Sequence, residues 1–234
     1  MPNQRARDAS LLMLIFPLFA VAFLHDIWKP RPAAHHPAQA LLVMAFGGPM
    51  HGTGFYIGNG EVITAAHVTS AVADNRGRMW VIVGQKKLLG KLLYADTDMD
   101  VAVIKVDLNP ALVVNTLVCA DHSELALGTE IEAIGYPLEI GLTHTWGRVA
   151  APVLRRGGAD DLSISFIADL TVAPGNSGGP VVDMHGNIVG LAEALAVAPL
   201  GFANASLVPL SYIIPRSVLC RTVDDEHYLE TSEP

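Results

Sequence analysis

The chain is poor in charge. Only 16% of its 234 residues are Asp, Glu, Lys or Arg, while 51% are apolar. That balance supplies side chains for a core and excludes a disordered chain. Basic residues are the scarcer sign, 15 against 23 acidic ones, for a formal net charge of −8. No basic stripe runs along any segment; Arg155-Arg156, beside Gly157-Gly158, is a short cluster that reads as a loop. Binding to a phosphate backbone draws on many lysines and arginines that displace counterions, so a nucleic-acid partner is excluded. Nothing in the spacing of His, Cys, Asp and Glu resembles a metal-ligand set; His35-His36 lacks matching ligands, and no cofactor is expected. Helical periodicity is scarce before the C-terminus, and no internal repeat is visible.

Long apolar runs are missing too. The run from Leu11 to Leu24 covers 14 residues and is interrupted by Pro17. A membrane-spanning helix needs about 20. Fourteen suits the apolar segment of a signal peptide, with Arg5 and Arg7 before it and Ala20-Val21-Ala22 as a small-x-small cleavage site. The alternatives are an uncleaved anchor extended through Ile27-Trp28, which would tether the chain through Leu11–Leu24, and a buried soluble helix. Residues 1–40 are therefore read as a signal peptide or membrane anchor followed by the Pro/Ala/His-rich linker "KPRPAAHHPAQA". The expected location is outside the cytoplasm. The two cysteines, Cys119 and Cys220, are able to pair in such a compartment; the other reading is two buried thiols acting as small apolar residues.

What is present, from Ala40 onward, is a succession of short β-type runs separated by turn residues. "GTGFYIGNGEVITAAHV" reads as a hairpin around Gly58-Asn59-Gly60, and "DMHGNIVG" carries another hairpin turn. "MWVIVG", "KLLGKLLYA", "DVAVIKVD", "TEIEAIGYP", "THTWGRVAA", "LSISFIADL" and "ANASLVPLSYIIP" continue the pattern. About a dozen strands at roughly ten-residue spacing predict an all-β sandwich or a pair of barrels. Near the end, Pro215 fits the first turn of a helix through "RSVLCRTVDDEHYL". The stretch from Asn115 to Gly128 reads as a connection with a short helical turn.

Three polar residues stand out. His67 closes the strand-like "VITAAH", Asp100 opens "VAVIKV", and Ser177 lies inside "PGNSGGP". These are the types that nucleophilic acyl transfer needs. A serine hydroxyl is a weak nucleophile until a neighbouring base takes its proton. Histidine titrates near neutrality and can return that proton to the leaving group. A buried carboxylate fixes the imidazole tautomer. Glycines around the serine let backbone N–H groups converge on a developing oxyanion.

In order and spacing, "TAAH", "DMDVAVIKV" and "GNSGGP" resemble the chymotrypsin-fold serine endopeptidases, and most of all the bacterial HtrA/Deg branch. The likeness extends through "GTEIEAIGYPLEIGLTHTWGRVAA" and "SYIIPRSV", from about Leu41 to Val223. It implies two six-stranded β-barrels with a C-terminal helix: residues 41–118 carrying His and Asp, and residues 119–234 carrying Ser. It implies Ser177 as nucleophile, His67 as general base and Asp100 as orienting acid, since in the family the acid directly precedes the apolar strand; Asp98, two residues earlier, is the competing choice. It further implies an oxyanion hole of Gly175, Asn176 and Ser177 N–H groups, chiefly those of Gly175 and Ser177. The substrates implied are proteins or peptides.

Two departures from the family matter. Asn176 stands where pancreatic-type relatives carry an aspartate that pairs with a newly released N-terminus, so activation of that kind is not expected. No PDZ domain is expected beyond the final helix either. The specificity pocket maps onto Thr171, Val172 and Ala173 and onto Leu191, Ala192 and Glu193. With no aspartate at its floor, small or medium apolar side chains are expected before the scissile bond. Glu193 is read as a solvated strand residue, because a buried unpaired carboxylate is costly; pointed inward it would attract a basic side chain. His51, His122, His144 and His185 are read as solvated or hydrogen-bonded structure. The competing reading of the whole chain is a binding or scaffold protein that kept the fold without turnover. "GNSGG" also fits the G-x-S-x-G elbow of α/β-hydrolases, but that fold needs Ser, Asp, His in chain order and alternating helices.

Overall fold

Short strands with apolar residues on both faces need cover on both sides, and a sheet rolled on itself provides it without an open edge. The computed structural model of the chain describes residues 40–44, 51–108, 117–119, 125–155, 164–200 and 204–224. Six strands form a first closed barrel: β1 (Ala40–Met44), β2 (His51–Gly58), β3 (Glu61–Thr64), β4 (Arg78–Val83), β5 (Lys86–Asp96) and β6 (Val101–Val106), in the order β1-β2-β3-β6-β5-β4. Six more form a second: β7 (Glu130–Gly135), β8 (Thr143–Arg155), β9 (Ile164–Asp169), β10 (Pro180–Asp183), β11 (Ile188–Leu200) and β12 (Asn204–Pro215), in the order β10-β11-β12-β9-β8-β7. Helix α1 (Ala66–Val72) follows β3, a 3-10 turn (Pro137–Glu139) follows β7, and helix α2 (Arg216–Asp224) ends the described chain. The all-β, two-barrel expectation holds.

Alternation along single strands explains how the barrels pack. In β10, Val181 lies in the core inside the second barrel, with Ile131, Phe166, Val189, Ala192 and Ile213. Its neighbour Val182 points the other way, into a core shared with the first barrel, where Phe55, Ile63, Val103 and Ile104 meet Ile134, Leu191 and Ile214. Successive β residues face opposite sides, so one strand serves both cores. Val218 and Leu219 of α2 close the shared core.

The β2–β3 hairpin turns as expected: Gly58 pairs with Glu61, and the two residues between, Asn59 and Gly60, have φ of 52 and 75. Two expectations are corrected. His67 does not close a strand; it sits in the first turn of α1. Pro215 ends β12, and the helix begins one residue later at Arg216. The amide-less proline costs nothing where a strand stops pairing, and it does not need the helix's first turn. The Leu11–Leu24 run and half of the Asn115–Gly128 connection lie outside the described residues. Among those described, no helix is long and apolar enough to cross a membrane, and no group of three or more His, Cys, Asp or Glu is placed to hold a metal ion.

Cys119 and Cys220 are joined in a disulfide that closes a sequence separation of 101 residues and pins α2 to the segment between the barrels. A bridge over so long a loop stabilises chiefly by restricting the unfolded chain. Replacing both cysteines by alanine is expected to lower the unfolding free energy by about 3 kcal/mol. Urea denaturation of the two proteins under oxidising conditions measures the difference, and superimposable curves would refute it.

Candidate active site

The site grows from a helix that lacks a cap of its own. Ala65, the residue before α1, has no side chain to bind the free N–H groups at the helix start. Asp100 supplies the acceptors from 33 residues away. Its backbone oxygen accepts from Ala66 N–H at 3.2 Å, and its Oδ1 accepts from His67 N–H at 2.9 Å. Its second carboxylate oxygen, Oδ2, lies 2.8 Å from His67 Nδ1. One carboxylate thus caps the helix and orients the imidazole that the helix carries. Asp100 has φ of 54, a left-handed value that a side-chain-bearing residue holds only when its surroundings fix it. The competing Asp98 is exposed, its N–H bound to Asp96 Oδ1 in a local turn.

Electrostatics follows from this hold. The hydrogen bond to Asp100 raises the pKa of His67 above the ordinary histidine value; partial burial opposes it, while the charges of Asp100 and then Glu193 add to it. His67 Nδ1 faces Asp100, and its side chain stays half exposed.

Ser177 lies on the loop between β9 and β10. Its hydroxyl donates to the backbone oxygen of Glu193 at 3.0 Å. No hydrogen bond joins it to His67 in this structure. Catalytic hydrogen bonds of unliganded enzymes are often loose in this way.

The glycines of the loop are there for space as well as dihedrals. Ala173 to Asn176 form a tight turn: Asn176 N–H donates to Ala173 O at 2.9 Å, Pro174 takes the second position, and Gly175, with φ of 99, the third. The Pro174 carbonyl accepts from Leu138 N–H at 2.8 Å. Because the peptide is planar and trans, the Gly175 N–H faces the opposite way. Neither it nor the Ser177 N–H donates to another group among the described residues. Asn176 is therefore corrected as an oxyanion donor: its N–H is spent in the turn. Its side chain is buried beneath the loop, with Oδ1 against Gly135.

Thr53, in the middle of the glycine-flanked "HGTGF", fastens this loop to the first barrel. Its N–H donates to Ser177 O at 2.9 Å and its hydroxyl to Gly175 O at 2.6 Å. The same hydroxyl oxygen accepts from Tyr136 N–H at 3.1 Å. Sequence reading passed over it; the signal present was a hydroxyl in an otherwise apolar interior strand.

The residues expected at the specificity pocket are placed differently from one another. Thr171 is exposed; Val172 is buried in the second barrel's core. Leu191 and Ala192 are 0% and 1% exposed, one in each core, because β11 is covered on both faces. Glu193 is not solvated: it is 6% exposed, and its Oε2 accepts from Ser165 Oγ at 2.9 Å. A hydrogen bond offsets part of the cost of burying the carboxylate, which is what the sequence argument left out. Of the other histidines, His144 contacts Glu132 and stacks on Trp146, His51 contacts Glu139, and His185 is exposed; His122 lies outside the described residues.

Comparison with known proteins shows the family of the chain. Residues 52–191 match the family model of the trypsin-like peptidase domain. A probable periplasmic serine endoprotease, DegP-like, of Halomonas elongata is 32% identical over 180 residues, covering 74% of this chain and 34% of the relative. Its counterpart in Brucella suis is 31% identical over 200 residues, covering 84% and 34%. The chain spans about a third of the length of these relatives. Among solved structures, the HtrA-type protease AlgW with a tripeptide superposes with a TM-score of 0.65 at 28% identity, covering 82% of this chain and 61% of that one. The inactive form of the Rv3671c protease superposes with a TM-score of 0.65 at 23% identity, covering 86% and 94%, a likeness of fold.

Two outcomes are expected from these contacts. With His67 as the expected general base, needed in its neutral form, activity is expected to rise with pH through its pKa. Glu193→Gln removes one charge that raises this pKa, and the acidic limb of kcat/KM against pH is expected to move to lower pH; a limb that stays in place refutes the coupling. A methyl group at Gly175 would fall 2.5 Å from both His51 Nε2 and Tyr136 O at a positive φ. Gly175→Ala is expected to displace the loop and lower kcat by about a hundredfold, the order of a lost oxyanion donor. A variant with wild-type kcat would refute this.

Proposed function

Because the chain belongs to the trypsin-like peptidase family, we propose that it is a serine endopeptidase, with Ser177 as nucleophile, His67 as general base and Asp100 as the residue that orients His67. The observation that carries the reading is the double hold of Asp100 on His67, through the backbone N–H at 2.9 Å and through Nδ1 at 2.8 Å. It leaves the Nε2 of His67 as the basic nitrogen toward Ser177. The Ser177 oxygen attacks the scissile carbonyl as its proton passes to Nε2. The carbonyl oxygen gains charge, and the Gly175 and Ser177 N–H groups receive it. His67 then gives the proton to the leaving amine, and an acyl-enzyme remains. Water attacks that ester by the same route and restores the serine.

The substrates are proteins or peptides, and the site of action is outside the cytoplasm. Relatives named as periplasmic support this, as does a disulfide of the kind that oxidising compartments preserve. Leu11–Leu24 serves as the export signal or tether. One observation favours a second reading, a protease-like scaffold without turnover: the Ser177 hydroxyl is bound to Glu193 O and not to His67.

Labelling by a fluorophosphonate probe separates the two. Wild type is expected to react, Ser177→Ala and His67→Ala to remain unlabelled, and Asp100→Asn to hydrolyse peptide about 10⁴-fold more slowly. An intact wild-type fold that never labels would support the scaffold.

A further inference from the structure

The peptide that presents the Gly175 N–H is held from outside its own loop, by a segment with an unfavourable backbone. Leu138 and Glu139 have φ of 50 and 58. Side-chain-bearing residues keep such values only where contacts over-determine them, and the strain tends to collect at functional sites. Here there are two such contacts. Leu138 N–H donates to Pro174 O at 2.8 Å. Glu139 Oε1 lies 3.2 Å from His51 Nδ1.

His51 completes the arrangement. Its side chain is only 12% exposed, and its Nε2 lies against the face of Gly175, where an added Cβ would come within 2.5 Å of it. That Nε2 is buried and has no hydrogen-bond partner. The polar contact that fixes the ring is therefore the one at Nδ1, with Glu139. The central peptide of a tight turn is the easiest to turn over, since glycine at the third position accommodates either orientation. Turning over the Pro174–Gly175 peptide would put a carbonyl oxygen where the oxyanion needs a donor.

We propose that His51 and Glu139 are positioning residues for the oxyanion hole: the carboxylate holds the imidazole against Gly175, and the ring, with the Leu138 N–H, keeps the Pro174–Gly175 peptide in its donor orientation. The inference rests on the acyl-transfer reading above. Neither residue touches the reacting atoms; both act through Gly175. Reaction of Ser177 with a phosphonate passes through the same oxyanion, so its maximal rate constant reports on the hole, and its half-saturating concentration on probe binding.

The test measures both constants for wild type, His51→Ala, Glu139→Ala and Glu139→Gln with a fluorophosphonate probe, alongside melting temperatures. Glu139 is 54% exposed, so its variants are expected to fold as wild type does. His51→Ala and Glu139→Ala are each expected to lower the maximal rate about tenfold, a fraction of what losing an oxyanion donor costs. The half-saturating concentration should stay within about twofold, and the double variant should be no slower than either single one, as for groups that act as a unit. Glu139→Gln, which keeps an oxygen within the same reach of Nδ1, should recover most of the rate. A Glu139→Ala protein as fast as wild type overturns the proposal, as does a loss that Glu139→Gln does not restore. Both outcomes leave the peptidase reading standing, because wild type still reacts. A wild type that never reacts overturns that reading and this one together.

Discussion

The loop that carries Ser177 depends on one threonine. Thr53 sits on β2 of the first barrel and makes four hydrogen bonds: N–H to Ser177 O, hydroxyl to Gly175 O, hydroxyl oxygen from Tyr136 N–H, and carbonyl from Thr64 Oγ1. Two of these reach the Ser177 loop of the second barrel. The first barrel thereby fixes the carbonyl oxygens on either side of Asn176, and with them the peptide planes that carry the Asn176 and Gly178 N–H groups. The bonds to Gly175 O and from Thr64 Oγ1 are buried, where an unmade one costs most. Gly178 exists to let this happen: a Cβ there would stand 2.2 Å from Thr53 O.

The same economy governs the other half of the site. Asp100 performs a structural task and a chemical one with a single side chain. As a structural group it caps a helix that has no local cap, placing negative charge at the positive end of the helix dipole. As a chemical group it holds His67 through Nδ1. The helix and His67 are thus oriented by the same carboxylate, on a residue whose backbone is left-handed. Glu193 joins from the second barrel, buried on Ser165 yet close enough to bias His67 toward its charged form. The field at His67 is assembled by both barrels.

Local pattern was enough for much of the architecture. Period-two apolar runs and Gly-Asn-Gly turn chemistry placed the strands, because a hairpin's register is decided by its own few residues. It failed at α1. The seven residues from Ala66 carry no capping signal, so the helix start was read as the end of a strand. The acceptor that makes those residues helical comes from 33 positions away and has no trace in the local sequence. Glu193 failed for a related reason. Sequence priced a buried carboxylate as unpaired, and its partner, Ser165, lies on a strand that is distant in sequence.

The sequence by itself determined the residue types and their order: a histidine after an apolar strand, an aspartate before another, a serine among glycines, and a β-rich chain to carry them. Those are short-range features, set by periodicity and turn propensity. Only the tertiary structure decided which groups meet. It bonded Cys119 to Cys220, spent the Asn176 N–H in a turn, sank Leu191 and Ala192 into two cores, and laid His51 between Glu139 and Gly175. Each of those outcomes needs two segments far apart in the chain to arrive at one place. Closing both barrels is what brings them there, since neither partner encodes the other's position.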